Sequence, residues 1–233
     1  MQYYGHDRHL ERLVEALAKT WPEQQIVLLV DEICSLSWFT KLQKIPESVT
    51  LLLVANPEIS QELDTLNCPT MSLTTPFRST IAINSLARFF AAPRGIIIPE
   101  CDFESVEGNK PIFFDLGDDK DKMEKALQEC RTIFGQLPFV TLHNMTYSVV
   151  DCVENVIKKV IKTWEFYHAK DFRGWEAKRL VLLISRDQDV FQMITRAKSS
   201  IVLILFGKSY SHKKLRMEFN DAVKEGLVEK REI

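Results

Sequence analysis

Short apolar runs alternate with amphipathic segments along most of the chain. Residues His6 to Thr20 carry leucine and valine at helical spacing, which predicts an amphipathic helix. Ile26–Val30 and Val49–Val54 are continuous apolar runs too short for helices, and such runs are typical of buried parallel strands. Because strands and helices follow one another in this way, the pattern predicts an α/β fold in which helices cover both faces of a parallel sheet.

The same alternation continues through the rest of the chain. It predicts helices at Ile81–Phe90, Asp121–Phe134 and Ser148–Ile161, and strands at Ile96–Ile98, Pro111–Asp115 and Gln136–Leu142. Ser79 or Thr80 is a suitable N-cap for the first of these helices. The stretch Asp171–Phe206 predicts a polar loop, an apolar strand, a short helix that carries Thr195 to Lys198, and a second apolar strand.

Composition narrows the class of protein. A chain of 233 residues that is 45% hydrophobic can form a large core, as one large domain or two small ones. The net charge of -2 indicates no general attraction to nucleic acid. The 5 cysteines are scattered and contain no CxxC pair, which favours reduced thiols over a disulfide framework or a zinc site.

No targeting or membrane segment is evident in the sequence. The first residues lack the apolar core of a signal peptide, and no apolar run approaches the ~20 residues that a membrane span requires. We therefore expect a protein without membrane contact that is intracellular, either cytoplasmic or nuclear.

Two features of the sequence are candidates for chemistry. The apolar run Ile26–Val30 is followed by Asp31 and Glu32, which is the pattern of a Walker B element: its Asp holds Mg²⁺ and its Glu polarises the attacking water. Alternatively, the two acids begin a surface loop. Arg78 lies at the start of a predicted helix, where it either meets an anion or forms a surface ion pair.

Five short motifs, taken in order, resemble motifs II to VI of the superfamily 1 helicases of the UvrD/Rep-like type. They are Val30-Asp31-Glu32, Val54-Ala55-Asn56-Pro57, Phe77-Arg78-Ser79-Thr80, Phe172-Arg173-Gly174-Trp175-Glu176 and Ile194-Thr195-Arg196-Ala197-Lys198. The resemblance spans most of the chain and implies a P-loop NTPase with two RecA-like domains. Residues 1–75 would be the latter half of the first domain, which is therefore incomplete, and residues 76–233 would be the second.

The resemblance also implies roles for individual residues. Asp31 would hold the magnesium ion, and Glu32 would activate the water that attacks ATP. Arg78 and Arg196 would reach the γ-phosphate, where phosphoryl transfer requires positive charge.

The same resemblance implies a contact with the nucleotide ribose. Glu176 matches the acid that binds it, and Gly174 belongs to the same cofactor site. ATP and Mg²⁺ would be the cofactors only if a phosphate loop exists upstream, while single-stranded nucleic acid and other proteins are the candidate partners.

The chain departs from the family pattern at several positions. The phosphate-loop motif G-x-x-x-x-G-K-[ST] does not occur, and we interpret Gly207-Lys208-Ser209 as a turn because an apolar strand runs directly into it. Cys34 and Ile59 stand where the family has glutamine, and Asn56 stands where it has an acid. We therefore predict that the isolated chain does not hydrolyse ATP.

Three interpretations remain open on the sequence. The chain is part of a larger helicase-like NTPase whose phosphate loop lies upstream, or it is a degenerate relative that serves as a non-catalytic interaction or regulatory module. A third interpretation is an unrelated flavodoxin-like binding domain. It would require a glycine-rich strand end, which the 8 scattered glycines do not supply.

Overall fold

The computed structural model describes residues 7–33, 45–55, 69, 79–101, 105–160, 165–172, 174–187, 190–207 and 210–233. The chain divides into two compact units, Met1–Met71 and Ser72–Ile233. Their assignment to two RecA-like domains remains a prediction.

The first unit contains one helix and two paired strands. Helix α1 spans Asp7–Thr20, strand β1 spans Ile26–Ile33, and strand β2 spans Val49–Ala55. The strands are parallel, with Ile26 opposite Val49 and Val30 opposite Leu53. Both predicted strands are therefore present and parallel, but the prediction that they are buried is wrong for one face of their sheet.

Strand β1 is longer than predicted. It continues through Asp31 and Glu32 to Ile33, so these acids lie within the strand and not after it. The pairing with β2 becomes irregular between Val30 and Ile33. The first acid is exposed, as expected for a polar side chain at the end of a ladder.

One face of this two-stranded sheet is exposed although it is apolar. Val27 is 69% exposed and Leu29 is 60% exposed in β1, while Leu52 is 57% exposed and Val54 is 40% exposed in β2. Alternate residues of a strand point to the same side of a sheet, so these four side chains share one face. Parallel sheets are normally covered on both faces, which makes this apolar face unusual.

The second unit contains most of the regular structure. Its helices are α2 (Ile81–Ala91), α3 (Lys120–Ile133), α4 (Tyr147–Val160), α5 (Val190–Ile194) and α6 (Tyr210–Lys224). Its strands are β3 (Ile112–Gly117), β4 (Val140–His143), β5 (Glu165–His168), β6 (Ala177–Ile184), β7 (Ala197–Phe206) and β8 (Glu229–Arg231).

The six strands form one sheet in the order β5-β4-β6-β7-β3-β8. Every neighbouring pair is parallel. The central strands β6 and β7 are almost entirely apolar because both of their faces are buried.

Alternate residues of the central strands enter two separate cores. Leu180, Leu182 and Ile184 pack with buried residues of α2, α5 and α6. Val181 and Leu183 pack with buried residues of α3 and α4. The prediction of a parallel sheet with helices on both faces is therefore confirmed for this unit.

Some local predictions were wrong. Ile96–Ile98 is not a strand, and Ile97 is 84% exposed. Helix α5 ends at Ile194, so Arg196 lies in the turn that follows and Lys198 lies in β7. Strand β5 was not predicted, because EFYH lacks the apolar run that marked the other strands.

Candidate functional site

Glu176 and Arg196 each immediately precede a strand of the large sheet. Glu176 comes before β6, Arg196 comes before β7, and the first residues of these strands, Ala177 and Ala197, pair with each other. The amide of Ala177 donates a hydrogen bond to the carbonyl of Arg196 at 2.9 Å. Two residues that are twenty positions apart in sequence therefore meet at the amino-terminal edge of the sheet.

Lys198 joins this edge directly to Glu176. Its Nζ lies 2.6 Å from Oε2 of Glu176, and the lysine side chain is 50% exposed whereas the glutamate side chain is 20% exposed. The carbonyl of Lys198 accepts a hydrogen bond from the amide of Thr80 at 3.2 Å. Parts of the predicted motifs IV, V and VI thus come together here.

The start of α2 agrees with the sequence prediction only in the position of its N-cap. Thr80 occupies the N-cap position, but its side chain makes no capping hydrogen bond. The amides of Ile81 and Ala82 donate instead to the carbonyls of Val106 and Glu107, at 2.9 and 3.0 Å. The protein's own backbone therefore uses these two amide donors. Arg78 itself lies outside the described residues.

Gly174 lies in the loop that leads to Glu176. Its φ is +73°, and a Cβ added there would meet no atom within 4 Å. The amide of Trp175 donates to the carbonyl of Phe172 at 3.2 Å, which closes a turn next to the glycine. Gly174 is therefore explained by the turn, and its part in a cofactor site remains a prediction. Trp175 is 61% exposed beside this turn.

The predicted metal site belongs to the first unit. Asp31 is exposed in β1, and the side chain of Glu32 lies outside the part of the chain that is described. Within the described ranges, no group of three or more His, Cys, Asp or Glu side chains is arranged to hold a metal ion. The assignment of Mg²⁺ to Asp31 remains a prediction.

The opposite, carboxyl-terminal edge of the large sheet carries polar residues that the sequence did not single out. Asp115 in β3 receives two hydrogen bonds from the guanidinium of Arg216 in α6, at 2.5 and 3.0 Å. This hydrogen bonding raises the pKa of Arg216. Ligands usually bind at this edge of a parallel sheet, whereas Glu176 and Arg196 lie at the other edge.

Asn144, directly after β4, holds the end of β6 in place. Its Oδ1 accepts hydrogen bonds from the amides of Ser185 and Arg186 at 2.9 and 3.3 Å, and its Nδ2 donates to the carbonyl of Arg186 at 2.8 Å. The polar residue after a predicted strand was visible in the sequence, but its partners lie about forty positions away. Its role here is structural.

Gly207 supports the interpretation of the Gly-Lys-Ser sequence as a strand end. Strand β7 continues to Phe206, and the amide of Gly207 donates to the carbonyl of Gly117 at the end of β3. Its φ of +127° suits glycine, and an added Cβ would lie 2.8 Å from Nε2 of His212. Lys208 and Ser209 lie outside the described residues.

Comparisons with known proteins add little to this geometry. No protein-family model matches the chain, and no curated protein matches it. A solved structure, the C-terminal domain of a possible DNA helicase from Lactobacillus plantarum WCFS1, aligns with 67% of this chain and 99% of that chain, with a TM-score of 0.46 and 11% sequence identity. A TM-score of 0.46 at that identity is too low to carry an argument about fold or function.

The sheet edge that carries Glu176, Arg196 and Lys198 is therefore the candidate functional site. This choice rests on the contacts at that edge and not on the comparisons with known proteins. The site combines a partly buried carboxylate that contacts a lysine with the backbone of an arginine at the same edge of the sheet. No helix among the described residues is long and apolar enough to cross a membrane.

Proposed function

We propose that the second unit supplies one wall of a nucleotide-binding site in a helicase-like NTPase, of which this chain is a part or a degenerate form. The pairing of Ala177 with Ala197 carries the proposal, because it brings the backbones of Glu176 and Arg196 to the same edge of the sheet. A carboxylate beside cations suits a nucleoside phosphate: hydroxyl groups of the ribose donate to the acid, and phosphate oxygens accept from the cations.

The proposed role of this wall is binding, without hydrolysis by the isolated chain. Phosphoryl transfer requires a phosphate cradle and a metal, and the sequence has no phosphate-loop motif. Cys34 and Ile59 also replace two glutamines, and Asn56 replaces an acid, that the helicase resemblance implies. We expect no steady ATP turnover by residues 1–233. Turnover that is lost in Glu32→Gln would contradict this.

Nucleotide titration tests the binding wall. ATP is added to the full chain and to Arg196→Ala, Glu176→Gln and the control Arg12→Ala, an exposed arginine of the first unit. Loss of a charge-assisted hydrogen bond is expected to weaken binding about tenfold or more in the first two variants and to leave the control unchanged. Equal ATP affinity in all four proteins would refute the proposed wall.

The exposed apolar face of the first unit favours a second function, that of a non-catalytic interaction module. Val27, Leu29, Leu52 and Val54 form the kind of apolar surface that marks protein interaction sites. On this interpretation the chain binds a protein partner through β1 and β2 and does not bind nucleotide. Absence of ATP binding, together with lower solubility of wild type than of Leu29→Lys, would favour this function.

Single-stranded nucleic acid is a further proposed partner of the helicase-like function. Trp175 offers an exposed aromatic face, and bases stack on such faces. Binding of a fluorescent oligonucleotide should weaken as salt increases, and should weaken further in Trp175→Ala. Salt-independent binding, or unchanged binding by the variant, would remove this partner.

A further inference from the structure

Lys198 is the point at which three separate segments of the second unit meet. Its side chain contacts Glu176 at 2.6 Å, and its carbonyl accepts from the amide of Thr80 at 3.2 Å. It also lies two residues after Arg196, and the start of its strand is held in register by the pair Ala177 and Ala197. The strand therefore sets the position of this lysine relative to both other charged residues.

The contact has a chemical consequence for Glu176. A carboxylate that accepts hydrogen bonds from ribose hydroxyls must be ionised and held in one orientation before the ligand arrives. An ammonium group 2.6 Å from Oε2 forms a charge-assisted hydrogen bond to the carboxylate and restricts its side-chain rotamers.

The contact also changes the charge that a phosphate would meet. A carboxylate at this edge would repel the phosphate groups of a nucleotide. Lys198 offsets the negative charge of Glu176 through their direct contact, which lowers this repulsion.

We propose that Lys198 is a positioning residue of the nucleotide site, which orients Glu176 toward the ribose and offsets its charge. This inference rests on the proposed nucleotide-binding function. Lys198 is not assigned a contact with the nucleotide: it acts through Glu176.

A role in fold stability alone is the competing explanation, and it makes a different prediction. The lysine side chain is 50% exposed, and ion pairs of this kind contribute little to stability. Lys198→Met should therefore fold with a melting temperature close to that of the wild type, so that a change in ligand affinity can be measured directly.

The experiment measures the affinity of the full chain for ATP and for 2′,3′-dideoxy-ATP, which lacks both ribose hydroxyls. Wild type is expected to prefer ATP by about tenfold, as for a hydrogen bond to a charged group. Lys198→Met should bind ATP about tenfold less tightly and lose the preference, whereas Lys198→Arg should keep it. Lys224→Met is the control, because Lys224 pairs with Asp221 at 2.7 Å in an exposed pair on α6.

Combining variants separates positioning from a general charge effect. Glu176→Gln should lose the ribose preference by itself, and adding Lys198→Met to it should change the preference no further. A further loss of ATP affinity in the double variant, relative to Glu176→Gln alone, would overturn the inference, because Lys198 would then not act through Glu176.

The remaining outcomes also decide between the two proposals. If Lys198→Met keeps the wild-type ATP affinity and ribose preference while Arg196→Ala loses affinity, the inference is wrong and the nucleotide site stands. If the wild type binds neither nucleotide, the proposed function is wrong and the inference fails with it.

Discussion

Acid should destabilise the second unit through His143, the last residue of β4. The side chain is 6% exposed, and its Nδ1 is buried with no hydrogen-bond partner among the described residues. Its ring stacks on Phe166 at a centroid distance of 4.5 Å and meets His168 edge-on at 5.1 Å. The site therefore suits a neutral imidazole and disfavours a charged one.

The pKa of His143 is lowered from 6.5 to about 4, mainly by burial and also by the nearby His168, while Asp171 opposes the change. Between these two pH values the unfolded chain binds a proton that the folded chain does not bind. The stabilising effect of the neutral form is therefore complete above about pH 6.5, and it is lost as the pH falls toward about 4.

The magnitude follows from 1.36 kcal/mol for each pKa unit, which is the standard linkage conversion. Unfolding free energy should fall by about 2 kcal/mol between pH 7 and pH 5, and by about 3 kcal/mol by pH 4. The loss levels off only well below pH 4, where His143 is protonated in both the folded and the unfolded states.

Urea denaturation followed by circular dichroism, repeated from pH 7 to pH 4, measures this dependence. His143→Phe is the comparison, because it keeps an aromatic ring against Phe166 and removes the titrating group. The variant should lack the His143 contribution, so subtracting its pH profile from that of the wild type removes the background of carboxylate titration. Profiles that differ by less than about 0.5 kcal/mol between pH 7 and pH 5 would refute the reasoning.

Three further predictions concern stability and are checked by denaturant or thermal unfolding. Gly108→Ala should lower the unfolding free energy by about 2–4 kcal/mol, because φ is +78° and the added Cβ would lie 2.4 Å from Cβ of Thr80. Gly95 also has a positive φ, of +71°, but no atom lies within 4 Å of the added Cβ, so Gly95→Ala should lower the unfolding free energy by only about 1 kcal/mol. Equal losses of stability in the two variants would show that the contact with Thr80 does not contribute. Asn144→Ala should destabilise by about 2–4 kcal/mol, because it removes three hydrogen bonds to the partly buried backbone after β6; a loss below about 1 kcal/mol would contradict this. Phe219→Ala should lower the unfolding free energy by about 3–5 kcal/mol, because the ring is fully buried between Phe90 and Phe113. A loss below about 1 kcal/mol would contradict this packing.

Elements with a strong local pattern were predictable from the sequence. The strand Val49–Ala55 was predicted from its apolar run, and the helix Lys120–Ile133 from the pattern of its apolar residues. The predicted ends of both elements agree with the observed ends to within a residue or two. Strand β5 was missed because its four residues include two polar ones and lie at the edge of the sheet. Edge strands have weaker apolar patterns because they are less buried.

The candidate site was only partly predictable. Glu176 and Arg196 were selected by resemblance to helicase motifs, but their meeting at one sheet edge depends on the pairing of β6 with β7. The contact between Lys198 and Glu176 was not foreseen. Arg78 lies outside the described residues, and the acids of β1 belong to the other unit, so their part in the site remains a prediction.

The sequence by itself determined the alternation of strands and helices and the parallel α/β class. Each element buries its apolar side chains away from water, so its type can be recognised from its own apolar periodicity. Only the tertiary structure decided the strand order β5-β4-β6-β7-β3-β8 and the use of the α2 amides by residues 106 and 107. It also decided that Glu176 and Lys198 form an ion pair. These features depend on backbone and side-chain contacts between distant residues, which form only when the whole sheet packs and which leave little trace in the pattern of any one segment.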